Sequence, residues 1–432
     1  MDTLIAARMQ MATSMIFHIV FAAIGMVMPF LMITAHYKWI KSGKEHFLTL
    51  TKAWQKGVAI FFVVGAVSGT MLSFELGLLW PEFMKHAGPI IGMPFSLEGT
   101  AFFVEAIAFG FYVYGWQKIK NKWFHWTTGL IVGISGLASG ILVVAANGWM
   151  NSPSGFTYKD GVFSNIDPIG ALLNDAWFSQ ALHMSLAAFV AVGFAVGGLH
   201  LWQYHRKKNP ILHLNAFKIA LLYGSIAAIL IPISGDIAAK DIAVRQPVKL
   251  AAMEAHYETE KGADLIIGGI VDEKAQSVDY AIHLPNALSF LAFGDFNAEV
   301  KGLNEFPKDE HPPVALTHYS FQVMVGIGTL LMLLGAIYFL SMKRSNLIGK
   351  KWFIWAFVLA TPLGFIALEA GWMVTELGRQ PWIIQGIMKT KDAVTPIQGM
   401  QYSFYLYLLI YLGLSFTVFW LMNRQVRKLN TP

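Results

Sequence analysis

Nine apolar stretches alternate with polar segments along the 432 residues, near 14–36, 53–78, 94–116, 125–147, 178–202, 216–239, 315–341, 352–374 and 401–423. A bilayer core needs roughly 20 consecutive mostly apolar residues to be crossed as a helix. In lipid every backbone N–H and C=O must find its partner within the segment, so such stretches become helices. The pattern predicts an all-α integral membrane protein with about nine transmembrane helices. The first stretch lacks a cleavage-site pattern and is too long for a signal-peptide core, so it is expected to stay as a helix. No internal repeat stands out, which withholds support from an inverted-repeat transporter.

Composition agrees: 55% of residues are hydrophobic and 13% charged, against about 25% charged in an ordinary soluble domain. The net charge of +6 is explained by where it falls. Lys38, Lys41, Lys44 and Lys52 lie in the first loop; Lys118, Lys120 and Lys122 in the third; Arg206, Lys207 and Lys208 in the fifth. Lys343, Arg344, Lys350 and Lys351 follow in the seventh, with Arg424, Arg427 and Lys428 in the tail. By the positive-inside rule these loops and the C-terminus are cytoplasmic and the N-terminus is outside. The basic balance is topology, and no nucleic-acid partner is expected. One outer loop is long and acidic, 240–314, with seven Lys/Arg against thirteen Asp/Glu. It divides the chain into helices 1–6 (1–239), the loop, and helices 7–9 with a cytoplasmic tail (315–432). The absence of cysteine excludes disulfides, iron–sulfur clusters and thiolate-ligated haem.

Against this apolar background a few residues stand out, all toward the outer half: His18, Glu98, Glu105, His183, Met324 and Glu369. An ionisable side chain inside a membrane is costly, about 2.5–3.5 kcal/mol on insertion scales, and by default points to function. Imidazole and thioether form an axial pair for low-spin haem, and a haem with a single protein ligand keeps a coordination position open. His18 and Glu369 would suit two haems of the second kind. The residues also admit plainer readings. His183 could bond a helix carbonyl, Met324 could be packing, Glu369 could pair with Arg379, and Glu98 with Glu105 could line a pore. A non-redox proton-coupled transporter would use the same buried acids. A haem-copper oxidase would need a copper-binding histidine cluster, whereas the 13 histidines here are scattered.

Longer motifs go further. "RMQMATSMIFHIVF" around His18, "LEGTAFFVEA" with Glu98 and Glu105, "VVAANGWMNSP", "KLAAMEAHYET" and the stretch ending "GRQPW" occur in this order. Together they resemble subunit I of the cytochrome bd quinol oxidases over nearly the whole chain. The resemblance implies a haem-containing quinol:dioxygen oxidoreductase in the bacterial cytoplasmic membrane. Such an enzyme oxidises membrane quinol at the outer face, reduces O2 to water and generates a proton gradient without pumping. It implies His183 and Met324 as axial ligands of a low-spin haem b, and His18 and Glu369 as ligands of two high-spin haems, a haem b and a haem d or a further haem b. It implies Arg8, Trp372 and Arg379 at the cofactors, Glu98, Glu105 and Ser139 in proton delivery, and Lys249 with Glu254 at the quinol in the long loop, the Q-loop. Partners implied are subunit II and a small single-helix subunit. Without the resemblance, Lys249 and Glu254 would read as a solvated salt bridge. Three departures are visible. Gln322 stands two residues before Met324 where many members have Arg, and Phe365 stands four residues before Glu369 where many have Trp. "SFELGLLWP", with the short Q-loop, resembles the cyanide-insensitive branch, whose members need not carry haem d.

Overall fold

The computed structural model describes residues 1–430, and nine of its helical spans are long and apolar enough to cross a membrane. Helices α1 (Thr3–Ser42), α2 (Glu45–Leu79), α3 (Pro81–Lys118) and α4 (Lys122–Asn151) run as two antiparallel hairpins, followed by a short α5 (Pro168–Leu172). Helices α6 (Trp177–His205) and α7 (Pro210–Arg245) form a third hairpin. The long loop contains α8 (Pro247–Glu254) and α9 (Ala287–Phe293). Then come α10 (Val314–Lys343), α11 (Lys351–Leu359), α12 (Leu363–Leu377), the one-turn α13 (Thr390–Ala393) and α14 (Met400–Asn430). The eighth span is α11 and α12 together, broken near Pro362, whose ring cannot continue the hydrogen-bond ladder.

The helices outrun the predicted stretches. At 1.5 Å per residue the 40 residues of α1 span about 60 Å, twice the thickness of a hydrocarbon core. The Asp2 carboxylate caps α1 by accepting from the Leu4 N–H, and Gly43 ends it at φ 67°, a left-handed conformation that costs glycine little. His18 therefore lies about four turns from the helix start, not one. Residues 81–93 are helical too, so Trp80 alone joins α2 to α3. The long loop is not irregular throughout: α7 runs on to Arg245, and antiparallel strand pairs join Leu265–Ile267 to Ile282–Leu284 and Ile270–Asp272 to Ser277–Asp279.

Small residues set the helix crossings. A Cβ at Gly193 of α6 would lie 2.5 Å from the Gly224 Cα of α7, and one at Gly364 of α12 would lie 2.5 Å from the Ala191 Cα. Without water to drive association, such backbone approach is how membrane helices gain packing energy. The apolar core is split along the helix axes. One cluster runs from Ala23 to Ala35 on α1, with Phe47 to Val58 on α2, Ala108 to Tyr112 on α3 and Val132 on α4. Another, at the long-loop end, takes Ala6 and Ala7, Leu79 to Ile91, and Ala146 with Trp149. Between them α1 presents Gln10, Ser14 and His18, α2 presents Ser68 and Glu75, α3 presents Glu98 and Glu105, and α4 presents Ser135 and Ser139. The fold thus holds a polar layer between two greasy ones.

Candidate haem and quinol sites

Two histidines in this layer are held alike. His18 Nδ1 is 2.9 Å from the Ser68 Oγ, and His183 Nδ1 is 2.9 Å from the Ser234 Oγ. Each serine already donates its one hydroxyl proton to its own helix, Ser68 to the Val64 carbonyl at 2.9 Å and Ser234 to the Ile231 carbonyl at 2.8 Å. Each Oγ must therefore accept from Nδ1–H, which leaves the Nε2 lone pair free in both rings. Each serine is buried and is followed by glycine. A Cβ at Gly69 would come to 3.0 Å from His18 Cε1, and one at Gly235 to 3.6 Å from His183 Cε1. The α1/α2 and α6/α7 hairpins share this Ser-Gly device, which is too short to register as a sequence repeat. Metal-binding imidazoles are oriented by a bond from the other ring nitrogen, and both rings have this kind of bond.

The remaining candidates come from α10 and α12. Met324 faces α12 where a Cβ at Gly371 would approach its sulfur to 3.0 Å. Among the described residues neither carboxylate oxygen of Glu369 has a hydrogen-bond partner. Arg379 does not pair with it: its Nη2 donates to Glu376 Oε2 at 2.6 Å, and the Asn147 Nδ2 donates to Glu376 Oε1 at 2.6 Å. Arg379 is 2% exposed, with Nε and Nη1 unpartnered. Arg8 Nη2 donates to the Gln380 Oε1, which also accepts from the Thr390 hydroxyl at 3.0 Å. Trp372 packs half-buried against the core of the first helices.

The acids of α3 follow a heptad. Ser139 donates to Glu98 Oε1 at 2.9 Å, bridging α4 to α3. Glu105 is 6% exposed, against Gly136, where a Cβ would crowd its carboxylate at 3.3 Å. Seven residues further, the Tyr112 hydroxyl lies 3.0 Å from His36 Nδ1, and His125 Nε2 donates to the Tyr112 carbonyl at 2.8 Å. Glu98, Glu105 and Tyr112 therefore share one face of α3 and lead toward the end rich in Lys and Arg. His36, Tyr112 and Glu376 escaped the sequence reading. The seven-residue spacing of 98, 105 and 112, and of 369 and 376, was the available signal.

Lys249 and Glu254 are 3% and 1% exposed, so they form no solvated salt bridge, and no ion pair joins them among the described residues. Five residues on a helix turn through about 140°, which sends the two side chains to different faces of α8. Lys249 Nζ donates to the Thr375 carbonyl at 3.2 Å and the Asn151 Oδ1 at 3.4 Å, reaching α12 and α4. Burial pulls its ammonium down to about 7; Arg379 and Arg245 add to this and Glu376 opposes it. Both Glu254 oxygens are unpartnered, and burial pushes that carboxyl up to about 8. Gln322, in place of the expected Arg, donates to the Ile266 carbonyl at 2.8 Å and accepts from the Gly268 N–H at 3.1 Å, which pins the loop's hairpin to α10.

The donor set fits haem. Two oriented imidazoles, a thioether and acids on α12 are axial-ligand chemistry, and a buried guanidinium with two free N–H groups matches a propionate carboxylate. Among the described residues no three His, Cys, Asp or Glu side chains converge on one point. The candidates come from four different helices, α1, α6, α10 and α12, so that none forms a multi-residue metal cluster.

Comparison with known proteins agrees with this chemistry. The chain is 34% identical over 435 residues to the putative cytochrome bd menaquinol oxidase subunit I of Bacillus subtilis, covering 99% of this chain and 97% of that one. It is 29% identical over 445 residues to the cytochrome bd ubiquinol oxidase subunit 1 of the same organism, covering 99% and 94%. The structure of bd oxidase from Geobacillus thermodenitrificans superposes with a TM-score of 0.94 at 36% identity, covering 99% of both chains. The profile of cytochrome bd terminal oxidase subunit I matches residues 6–430, the same span that carries the oriented histidines, the α3 acids and the buried α8 pair, and the chain belongs to that family.

Proposed function

We propose that this chain is the haem-bearing subunit of a quinol:dioxygen oxidoreductase, a multi-pass protein of the bacterial cytoplasmic membrane in complex with subunit II. Family membership supports the quinol oxidase activity; the relatives' names differ between menaquinol and ubiquinol, so the class proposed is membrane quinol. The observation that carries the reading is the pair of imidazoles fixed by buried serines with Nε2 free. His183 and Met324 would hold a low-spin haem b, and His18 a high-spin haem, with Arg8, Trp372 and Arg379 around the cofactors. Haem, when bound, supplies electron transfer and dioxygen reduction. The second high-spin haem, a haem b or haem d, would take a carboxylate of α12. Glu369 is the first reading, supported by its two unpartnered oxygens. A second reading is Glu376. Trp372 stands four residues before it, the register that Phe365 breaks for Glu369, and its carboxylate is held by Asn147 and Arg379, as ligating carboxylates are.

The chain's own residues do the proton work. Glu254 would accept a quinol proton, and its carboxyl, poised near neutral pH, suits a general base. Lys249 would bond the other quinol oxygen. Glu98, Glu105 and Ser139 would carry protons from the cytoplasmic end. Quinol protons leave outside and consumed protons come from inside, so a gradient forms without pumping. The division into 1–239, 240–314 and 315–432 follows this: two membrane parts around a quinol-binding outer loop. A small single-helix subunit would complete the complex. An optical spectrum of the purified complex with a pyridine-haemochrome assay tests the reading. Three haems per complex are expected, and no Soret band would overturn it.

A further inference from the structure

One buried acid has no part in the scheme above. Glu75 of α2 is 0% exposed and forms no ion pair among the described residues. Its Oε1 accepts from the Ser14 hydroxyl at 2.7 Å and from the Gln10 Nε2 at 3.1 Å, both on α1. Its Oε2 has no partner, and neither has the Gln10 Oε1. From α14 the titratable groups facing it are Tyr407 and Tyr411, the latter beside Ser14. Among the described residues two buried oxygens, Glu75 Oε2 and Gln10 Oε1, are thus left unsatisfied in the seam of α1 and α2, and such groups are rare unless a proton, a water or an ion uses them.

The seam is continuous with the His18 site. Gln10, Ser14 and His18 follow at four-residue spacing on one face of α1, while Ser68 and Glu75 follow at seven on the facing side of α2. Glu75 therefore sits about 10 Å along the axis from the serine that orients His18, and one turn from the end of α2. A charge change at an iron held by His18 acts on the carboxylate through protein with few screening groups. Either state of the carboxyl finds bonds here. The anion accepts from Ser14 and Gln10, and the acid has the unpartnered oxygen of the same Gln10 amide as an acceptor for its Oε2 proton.

We propose that Glu75 is a redox-linked proton site for the haem held by His18. The carboxylate takes up one proton when that iron gains one electron from quinol, and returns it when the electron leaves, so the net charge of the pair is unchanged. The proposal rests on the reading of His18 as a haem ligand. Redox titration of the intact complex at several pH values, with Glu75→Gln and Glu75→Asp variants, tests it. In the wild type the midpoint potential of the high-spin haem lost in His18→Ala should fall as pH rises. Glu75→Gln should flatten that slope with haem content intact and the low-spin haem unaffected, and Glu75→Asp should restore it. In infrared redox-difference spectra a carboxylic C=O band should be present in the wild type and missing from Glu75→Gln. An unchanged slope and an unchanged band in Glu75→Gln overturn the proposal. Retention of all haems in His18→Ala instead overturns the ligand reading beneath it.

Discussion

Two carboxylates one heptad apart on α12 meet opposite surroundings. Glu369 has no partner, whereas Glu376 is bonded on both oxygens by Asn147 and Arg379. A buried acid without a cation or a donor is costly unless it is neutral or bound to a metal. An acid bonded through both oxygens still keeps lone pairs for iron. Replacing either by Gln keeps its size and removes the anion that favours ferric iron. In the variant at the true ligand one high-spin haem should be lost or its potential raised; a tenfold weaker hold on the ferric form is about 59 mV for one electron. The other variant should keep both high-spin signals. Loss in Glu369→Gln supports the first reading and loss in Glu376→Gln the second, as read by optical spectra and redox titration. Retention of both haems in both variants would remove α12 carboxylates from the site.

At the scale of elements, the proposed ligands depend on how helices approach one another. His183 rides on α6 and its orienting Ser234 on α7, and the two helices meet at Gly193 and Gly224. A Leu at 193 would drive its Cβ against backbone that cannot give way, so Gly193→Leu should spread the hairpin and lose the low-spin haem before the high-spin ones. A normal low-spin band in that variant would mean that the crossing does not position the ligand. The buried α8 gives a second test. Glu254 accepts protons only when ionised, and its carboxyl is pushed up to about 8, so quinol oxidation should rise as pH rises through that value. Glu254→Gln should lose this rise and most turnover, roughly 10²-fold or more for a general base, with dithionite-reduced haem intact. An unaltered pH profile would take Glu254 out of proton transfer. These elements also mark what the sequence could reveal. Hydropathy located all nine spans, because length and apolarity suffice for a membrane helix. It placed their ends short, because helix beyond the bilayer is set by caps such as Asp2 and by packing of Ala6 and Ala7. It could not see that Lys249 and Glu254 turn to different faces, nor that Ser68 and Ser234 prepare the histidines. Those facts belong to pairs of helices.

For the whole molecule, the proposed reaction would be electrogenic by position. The buried α8 acid and lysine lie at the long-loop end, while the stripe Glu98, Glu105 and Tyr112 points to the opposite end, where Tyr112 meets His36 and His125. Protons released at one end and drawn from the other separate charge across the membrane, at about 2.3 kcal/mol per elementary charge for each 100 mV. Glu105 is the deep member of the stripe, and with Glu98 bonded to Ser139 it spans the polar layer between the two apolar cores. Glu105→Gln preserves the volume against Gly136 but cannot exchange a proton. In proteoliposomes this variant should keep its haems and their reduction by quinol, yet consume oxygen far more slowly and develop voltage in proportion. Ser139→Ala should slow turnover less, because it removes only the donor to Glu98. If Glu105→Gln sustains wild-type oxygen consumption and voltage, protons enter by a route that does not use the α3 stripe, and the line from Tyr112 to Glu98 is a structural seam instead.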